Sequence, residues 1–322
     1  MYECDLHSHT VRSDGNDTYA ELIDKAGALG IRVLAITDHD VVCDGTLFAE
    51  GAEQTLEAYG LRRGVRVLRG IEFSCDTDVE DVHIVALGCD FGAPFFAREH
   101  ERSIVSKIDG YKALCARLTG DGMPVDWARD ILEDGRRDER AVQRKQIFEA
   151  MARKGYAASW SDAKLLVKNT PRYAVRRIKP DPSDIIRGIH ETGGVAILAH
   201  PFLITPAAGD EVPPGFREAY IERLIATGLD GIEASYPYDK TSYGGALTPE
   251  EIETQVRAAY GARLEILSGG SDYHDEGKKG SKNPRMLGER GVTLAYFASN
   301  PLLSRLPTRK SRILEGAVSD EN

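Results

Sequence analysis

The sequence has little that would place it in a membrane, a disulfide scaffold or a complex with nucleic acid. No stretch of its 322 residues approaches the ~20 consecutive apolar residues that span a bilayer. Cysteine is scarce. Cys4, Cys43, Cys75, Cys89 and Cys115 are odd in number and form no CxxC pair, which argues against a disulfide framework and against a thiolate zinc site. Reduced, mostly buried thiols are expected instead. An excess of positive charge is also missing: 41 Lys and Arg against 51 Asp and Glu give a formal net charge of −10. Such a field repels polyanions unless basic groups are gathered locally. Nucleic-acid polymers are therefore poor candidate partners, whereas a small phosphorylated metabolite is acceptable if cations reverse the field inside one pocket. No GxGxxG follows an early strand pattern, so a dinucleotide site is disfavoured. Met1 leads directly into a strand pattern, without the charged segment and apolar run of a secretory signal, so a cytoplasmic location away from membranes is expected.

What is present is an ordinary globular composition, with 42% hydrophobic and 29% charged residues. The length suits two average domains or one α/β barrel. Apolar runs rich in β-branched residues recur at Met1 to Leu6, Val33 to Thr37, Val65 to Ile71, Val82 to Leu87, Val195 to Ala199, Gly231 to Ala234 and Leu264 to Ser268. Near-continuous runs of this kind suit parallel strands buried on both faces. Helical patterns lie between many of them. Thr18 to Leu29 is Ala- and Leu-rich, with Asp17 as its expected N-cap and Gly30 as its stop. Thr248-Pro249-Glu250-Glu251 offers a cap, a proline at the first helical position and a capping box. The alternation predicts an α/β barrel or a doubly wound sheet. From about Arg98 to Lys179 the rhythm breaks into a long, charged, helical stretch, read as an inserted subdomain. The barrel would then be discontinuous, 1–97 and 180–322, around a helical insertion at 98–179. Ser319-Asp320-Glu321-Asn322 reads as a solvated tail.

Of eight histidines, six fall at or just beyond strand ends: His7, His9, His39, His83, His200 and His274. His7 and His9, two apart, share one face of a strand and can turn together toward one ion. Asp14 follows on a turn, Glu72 and Asp272 end later strands, and in a barrel the carboxyl ends of the strands share one rim. A mixed imidazole and carboxylate set suits Mn, Fe or Zn better than Ca or Mg. Glu72 is the natural carboxylate to bridge two ions. More donors than one closed tetrahedral site needs point to catalysis rather than to a structural metal. His100 and His190 lie outside these motifs and are expected to be packing or surface residues. Tyr273, between two site residues, is expected to buttress them.

The segments DLHSHTVRSDG, ITDHD, GIEFS, the His83 strand, LAHP and GGSDYH together resemble the polymerase-and-histidinol-phosphatase (PHP) family of metal-dependent phosphoesterases. The resemblance covers Met1 to about Asp90 and Asp184 to about His274. It implies a distorted (β/α)7 barrel with a helical cap. It also implies three divalent ions: His7, His9, Glu72 and Asp272 at the first, Asp14, His39 and His200 at the second, and Glu72, His83 and His274 at the third. Asp14 stands where many relatives carry histidine. A hydroxide shared between ions is the expected nucleophile, with Asp14, Glu72 and His274 as catalytic groups. His274 would assist the leaving group where the third ion is absent.

Relatives with a barrel and cap include nucleotide phosphatases and enzymes that open a five-membered cyclic phosphate and then remove the remaining monoester. Having both His83 and His274 favours the cyclic class. Phosphoribosyl 1,2-cyclic phosphate, giving ribose 5-phosphate and phosphate, is the expected substrate. A nucleotide or sugar phosphate monoesterase and a nuclease or editing module are the alternatives. Within the insertion, Arg144 lies on a helix resembling the arginine-bearing helix of family caps, and Arg176 lies on the return path. A guanidinium presents a planar fork to phosphate, so both are expected to hold a second phosphate of the substrate. The loop from Asp239 to Gly245 carries no assigned role.

Overall fold

The computed structural model describes residues 1–206 and 213–306, so the tail expected at the C-terminus lies outside the described residues. The chain divides into two compact units, Met1–Phe96 with Pro180–Asn322, and Ala97–Lys179.

The first unit is built on one seven-stranded sheet, in which β1 (Cys4–Asp5), β2 (Val33–Ile36), β3 (Arg66–Cys75), β4 (Val82–Leu87), β5 (Val195–Leu198), β6 (Gly231–Ser235) and β7 (Ile266–Gly269) lie side by side in chain order. Leu6 N–H donates to Gly269 O at 3.2 Å and His9 N–H to Tyr273 O at 2.9 Å. These bonds bring the last strand back to the first, and the sheet becomes a nearly closed barrel.

Strand sequence explains how both faces are filled. Along β2, Val33 and Ala35 join one core cluster, with Leu68, Val85 and Ile197. The alternate residues Leu34 and Ile36 join another, with Leu22 and Ile23 of α1 (Tyr19–Ala28) and Leu56 and Tyr59 of α2 (Leu56–Leu61). On the other side, Ala196 and Leu198 of β5 meet Ile185, Ile186 and Ile189, which belong to a helix spanning Pro182–Glu191. Burying each such aliphatic side chain contributes roughly 1.5–3 kcal/mol. With apolar partners on both sides, the strands have no reason to alternate with polar residues.

One strand departs from the expected parallel order. The first four residues of β3 pair parallel with β2, but Gly70–Cys75 pair antiparallel with β4, and β4 is antiparallel to β5 as well. Gly70 sits where the pairing changes. A Cβ there would come within 2.8 Å of Leu87 and 2.9 Å of Thr37. The reversal has a functional consequence, because it carries the start of β4, and His83 with it, to the rim where the other strands end.

Local caps also differ in part from expectation. Thr18, not Asp17, caps α1, completing a capping box with Glu21. Asp17 is instead fully buried and accepts from Lys25 and from the Tyr273 hydroxyl. Thr248 caps the helix Pro249–Tyr260 with Glu251, as the sequence suggested. All five cysteines are free and buried, and burial pushes the Cys4, Cys89 and Cys115 thiols up to about 12.

In the second unit, α3 (Pro94–Gly120) carries the chain in from the first, and α4 (Arg144–Arg153) packs on α5 (Trp160–Lys168). Leu114, Leu118, Ile131, Ile147, Met151 and Tyr173 fill its core. Among the described residues no helix is long and apolar enough to cross a membrane.

Candidate metal centre

At the rim of the barrel, side chains distant in sequence crowd around one carboxylate. Glu72 is fully buried. Its Oε2 lies 3.2 Å from His7 Nε2, 3.2 Å from His9 Nε2 and 2.9 Å from His39 Nδ1. Its Oε1 lies 3.0 Å from His83 Nδ1 and 3.2 Å from His200 Nε2. His7 and His9 bring their Nε2 atoms to 3.1 Å of each other, and Asp272 Oδ1 stands 3.0 Å from His9 Nε2. On the outer side, His274 Nε2 meets Asp14 Oδ1 at 3.0 Å, and the His274 ring stacks on His9 at 4.1 Å. Every metal-site residue expected from the sequence is in this one cluster.

The backbone is shaped to deliver these groups. His200 and Asp272 both take left-handed conformations, at φ of 28° and 49°, which are uncommon for residues bearing a side chain although Asp and His are among those that tolerate them. Gly270 permits the close pass of β7's continuation over β1. A Cβ on it would stand 2.3 Å from His7 Cβ. Asp5, buried under the same turn, accepts from Ser271 N–H at 3.0 Å and from Gly288 N–H at 2.8 Å. Asp38 accepts from Thr10 N–H and Oγ1, both at 2.8 Å, fixing the loop after β1.

Glu233 of β6 is buried and reaches His7 Nδ1 at 3.3 Å, while its other oxygen accepts from His200 N–H at 2.9 Å. The Tyr236 hydroxyl donates to Asp272 Oδ2 at 2.8 Å, and Arg285 forms an ion pair with the same oxygen. Glu233, Tyr236 and Arg285 escaped the sequence reading. Glu233 does carry a faint signal, as a lone acid in the apolar run of β6.

Electrostatics reflect the crowding. Burial opposes charge on His39, but Glu72 beside it overrides this and lifts its pKa to about 10. His83 and His274 move down, first through burial and then through neighbouring histidines. Burial works against ionising Glu72, yet His39, His7 and His83 hold it well below the usual carboxylate range. These directions belong to the side chains alone, since a cation would take the place of the protons.

Does the donor set fit cations? His200 Nδ1 is buried without a hydrogen-bond partner, and Glu72 Oε2 and His39 Nδ1, though 2.9 Å apart, are buried without a hydrogen bond of good geometry, an arrangement that costs stability unless something else satisfies the atoms. Three overlapping groups have donor atoms within one ion's reach: His7, His9, Glu72 and Asp272; His9, Asp14, His39 and His274; and His39, Glu72 and His83. The fit is good. The first group matches the resemblance. The others do not follow its assignment, because Asp14 stands with His274 while His83 and His200 face each other, ring centroids 4.9 Å apart, across Glu72.

A cleft of about 390 Å³ opens onto the cluster, and its wall includes Asp81, Lys240, Thr241, Ser242 and Arg285. The loop left without a role in the sequence thus forms part of the cleft. His190 lies elsewhere, 2.8 Å from Asp230. The Tyr273 hydroxyl turns away to Asp17 and Lys25. Arg144 and Arg176 belong to the second unit, Arg144 exposed at the start of α4 with its guanidinium 5.9 Å from the Phe148 ring.

Residues 5–160 match the PHP domain. The chain is 33% identical to a phosphoribosyl 1,2-cyclic phosphate 1,2-diphosphodiesterase of Eggerthella lenta, over 84% of this chain and 93% of that protein. The chain belongs to the PHP family. It is a metal-dependent phosphoesterase, a phosphoric ester hydrolase. A second relative is a 3',5'-nucleoside bisphosphate phosphatase of Chromobacterium violaceum, 29% identical over 87% of this chain and 90% of that one. Among solved structures, a provisionally named metal-dependent phosphoesterase from Bifidobacterium adolescentis superposes with a TM-score of 0.66 at 26% identity, covering 96% of this chain and 98% of its own. An amidohydrolase from Chromobacterium violaceum, with bound sulfate and no metal, gives 0.61 at 25% identity, covering 90% of this chain and 92% of its own.

Proposed function

We propose that the protein hydrolyses a five-membered cyclic phosphodiester of a small sugar phosphate, such as phosphoribosyl 1,2-cyclic phosphate, in two steps. Water first opens the ring to a monoester, and a second water then releases inorganic phosphate. The observation that carries a multinuclear site is Glu72. Its Oε2 is buried among three imidazole nitrogens at 2.9–3.2 Å and has no hydrogen bond of good geometry. The relative named for a cyclic phosphate, matched over 93% of its length, supports the substrate class.

On this reading His7, His9, Glu72 and Asp272 hold one cation, Asp14, His39 and His274 a second, and Glu72, His83 and His200 a third, with manganese, iron or zinc as the expected metal. Bound cations supply a water of lowered pKa and polarise phosphoryl oxygens. The chain's own part is positional. Glu72 is shared between groups, so its carboxylate fixes their spacing. Glu233 holds His7 by its far nitrogen, which leaves Nε2 directed at the cluster. Where His274 is not a ligand, its Nε2, 3.0 Å from Asp14 Oδ1, is placed to carry a proton to the departing oxygen. Arg144 and Arg176 are proposed to bind the substrate's second phosphate.

A second reading, a bisphosphate nucleotide monoesterase, is supported by the Chromobacterium relative. Metal analysis combined with phosphate release from cyclic diesters, sugar monophosphates, 3',5'-bisphosphate nucleotides and oligonucleotides separates the two. Release from cyclic diesters supports the first reading. Release from monoesters alone rejects it, and fewer than two metals per chain removes the multinuclear site.

A further inference from the structure

We infer that Arg285 is a positioning residue, which together with Tyr236 turns Asp272 so that it offers a single oxygen to the metal centre. The inference rests on reading His7, His9, Glu72 and Asp272 as ligands of one cation.

The two oxygens of Asp272 are treated differently. Oδ1 faces the imidazoles, at 3.0 Å from His9 Nε2, 3.5 Å from His7 Nε2 and 3.5 Å from His274 Nδ1. Oδ2 faces away and is taken by two donors, the Tyr236 hydroxyl at 2.8 Å and the Arg285 guanidinium. A carboxylate so held cannot rotate to chelate an ion through both oxygens without giving up both bonds. The Asp272 backbone is itself in the left-handed region, at φ 49°, and the Tyr236 and Arg285 contacts are what fix its carboxylate.

Arg285 lines the cleft, where an arginine would ordinarily be taken for a phosphate anchor. Its bonding argues otherwise. While one edge grips Asp272, Nε and Nη2 contact Glu276 Oε1 at 3.2 and 2.7 Å, and Glu276 Oε2 accepts from the Arg285 backbone N–H at 3.0 Å. The guanidinium is thus held on both sides, and only about an eighth of the side chain is exposed, 12%. The segment carrying it is anchored in turn. Lys240 of the cleft loop donates to Pro284 O at 3.0 Å and pairs with Glu289, and Gly288 N–H donates to Asp5 at 2.8 Å. The cleft loop, the metal-centre carboxylate and the floor beneath His7 are joined through one short stretch of chain.

The test uses the full-length protein with two probes, Mn2+ alone and inorganic phosphate at saturating Mn2+, both followed by calorimetry. Arg285→Gln is expected to weaken the tightest Mn2+ site by roughly 10- to 100-fold, as loss of a ligand's outer partner does, while phosphate affinity stays within about threefold at saturating metal. Arg285→Lys should recover part of the loss, since it keeps the charge without the two-edged grip. Tyr236→Phe, which removes one hydroxyl and leaves the ion pair, should weaken Mn2+ less, and it stands in should Arg285→Gln fail to fold. Unchanged Mn2+ affinity in the arginine variants with weakened phosphate binding would overturn the inference and make Arg285 a substrate anchor. Asp272→Asn is the control. If it keeps full Mn2+ affinity, the ligand reading itself fails. If it loses Mn2+ while Arg285→Gln and Tyr236→Phe do not, the positioning role alone is wrong.

Discussion

The barrel unit and the helical unit use charge in opposite ways. In the helical unit charged side chains meet near the surface: Glu101 with Arg140 at 2.6 Å, Glu139 with Lys112 at 2.8 Å and Asp121 with Arg172 at 2.9 Å. Pairs of this kind contribute between nothing and about 1 kcal/mol each. At the barrel rim six histidines, two aspartates and a glutamate are packed together, and three of their polar atoms are buried without a hydrogen bond of good geometry. Such an arrangement lowers the stability of the bare chain. It persists because the fold determines it from outside, through Asp5, Asp38, Glu233, Tyr236 and Arg285, and its donor set fits cations that would complete it. Paired surface charge is a matter of solubility and modest stability, whereas charge crowded and buried at one point marks chemistry.

The contrast is broken most severely at Glu72. Glu72→Gln keeps the shape but removes the negative charge shared by two of the groups, and kcat/KM for phosphate release should fall on the order of 10³-fold or more. The helical content by circular dichroism should stay as in the parent protein. A variant within tenfold of the parent would mean that the buried cluster is not the reaction centre.

Metal removal comes next. Dialysis against a chelator should lower thermal stability, because a cation present at about a thousand times its Kd stabilises the folded state by about 4 kcal/mol. Calorimetry should show the main unfolding transition several degrees lower, restored by added Mn2+. An unchanged Tm would contradict the view that cations complete the rim.

A smaller effect tests whether the helical unit shares in function. Arg144→Ala and Arg176→Ala should each raise KM by roughly tenfold for a substrate bearing two phosphates, with metal content as in the parent. If both leave kcat/KM unchanged, these arginines belong with the ordinary surface charge of their unit.

The smallest effect is expected at Asp130. Its partial burial would raise its pKa, but Lys154 and Arg129 override that and bring it down to about 2. A carboxylate depressed on folding adds stability above its unfolded pKa, near 3.9, and that contribution is lost as pH falls from there toward 2. Asp130→Asn should therefore cost at most about 1 kcal/mol at pH 7, and the difference from the parent should vanish in acid melts near pH 2.

Much of the barrel was legible from residue order. Apolar runs such as Val33–Ile36 and Val195–Leu198 have partners on both faces, so they show it in composition. The histidines and acids were legible for a related reason. Ligand chemistry restricts which side chains serve, and strand ends are where a barrel presents them. Periodicity, however, reports which face a residue occupies and not which strand lies beside it. The antiparallel course of β4 was therefore invisible, and with it the way His83 arrives beside His200 rather than beside His274. Asp17 shows the same limit on a local scale. An aspartate before a helix reads as a cap, yet burial against Lys25 and Tyr273 claimed it, and Thr18 took the cap.

What the sequence determined by itself was the inventory: a (β/α)7 scaffold, the candidate donors that gather at its rim and the family to which the chain belongs. What only the tertiary structure decided was the grouping. Asp14 stands with His274, Glu72 is common to two groups, and Glu233, Tyr236 and Arg285 hold the outer sides of His7 and Asp272. The physical reason is that a ligand's identity is local chemistry, carried by one residue. Its orientation is set by neighbours that the chain brings together from far away in sequence, as with His7 and Glu233, 226 residues apart.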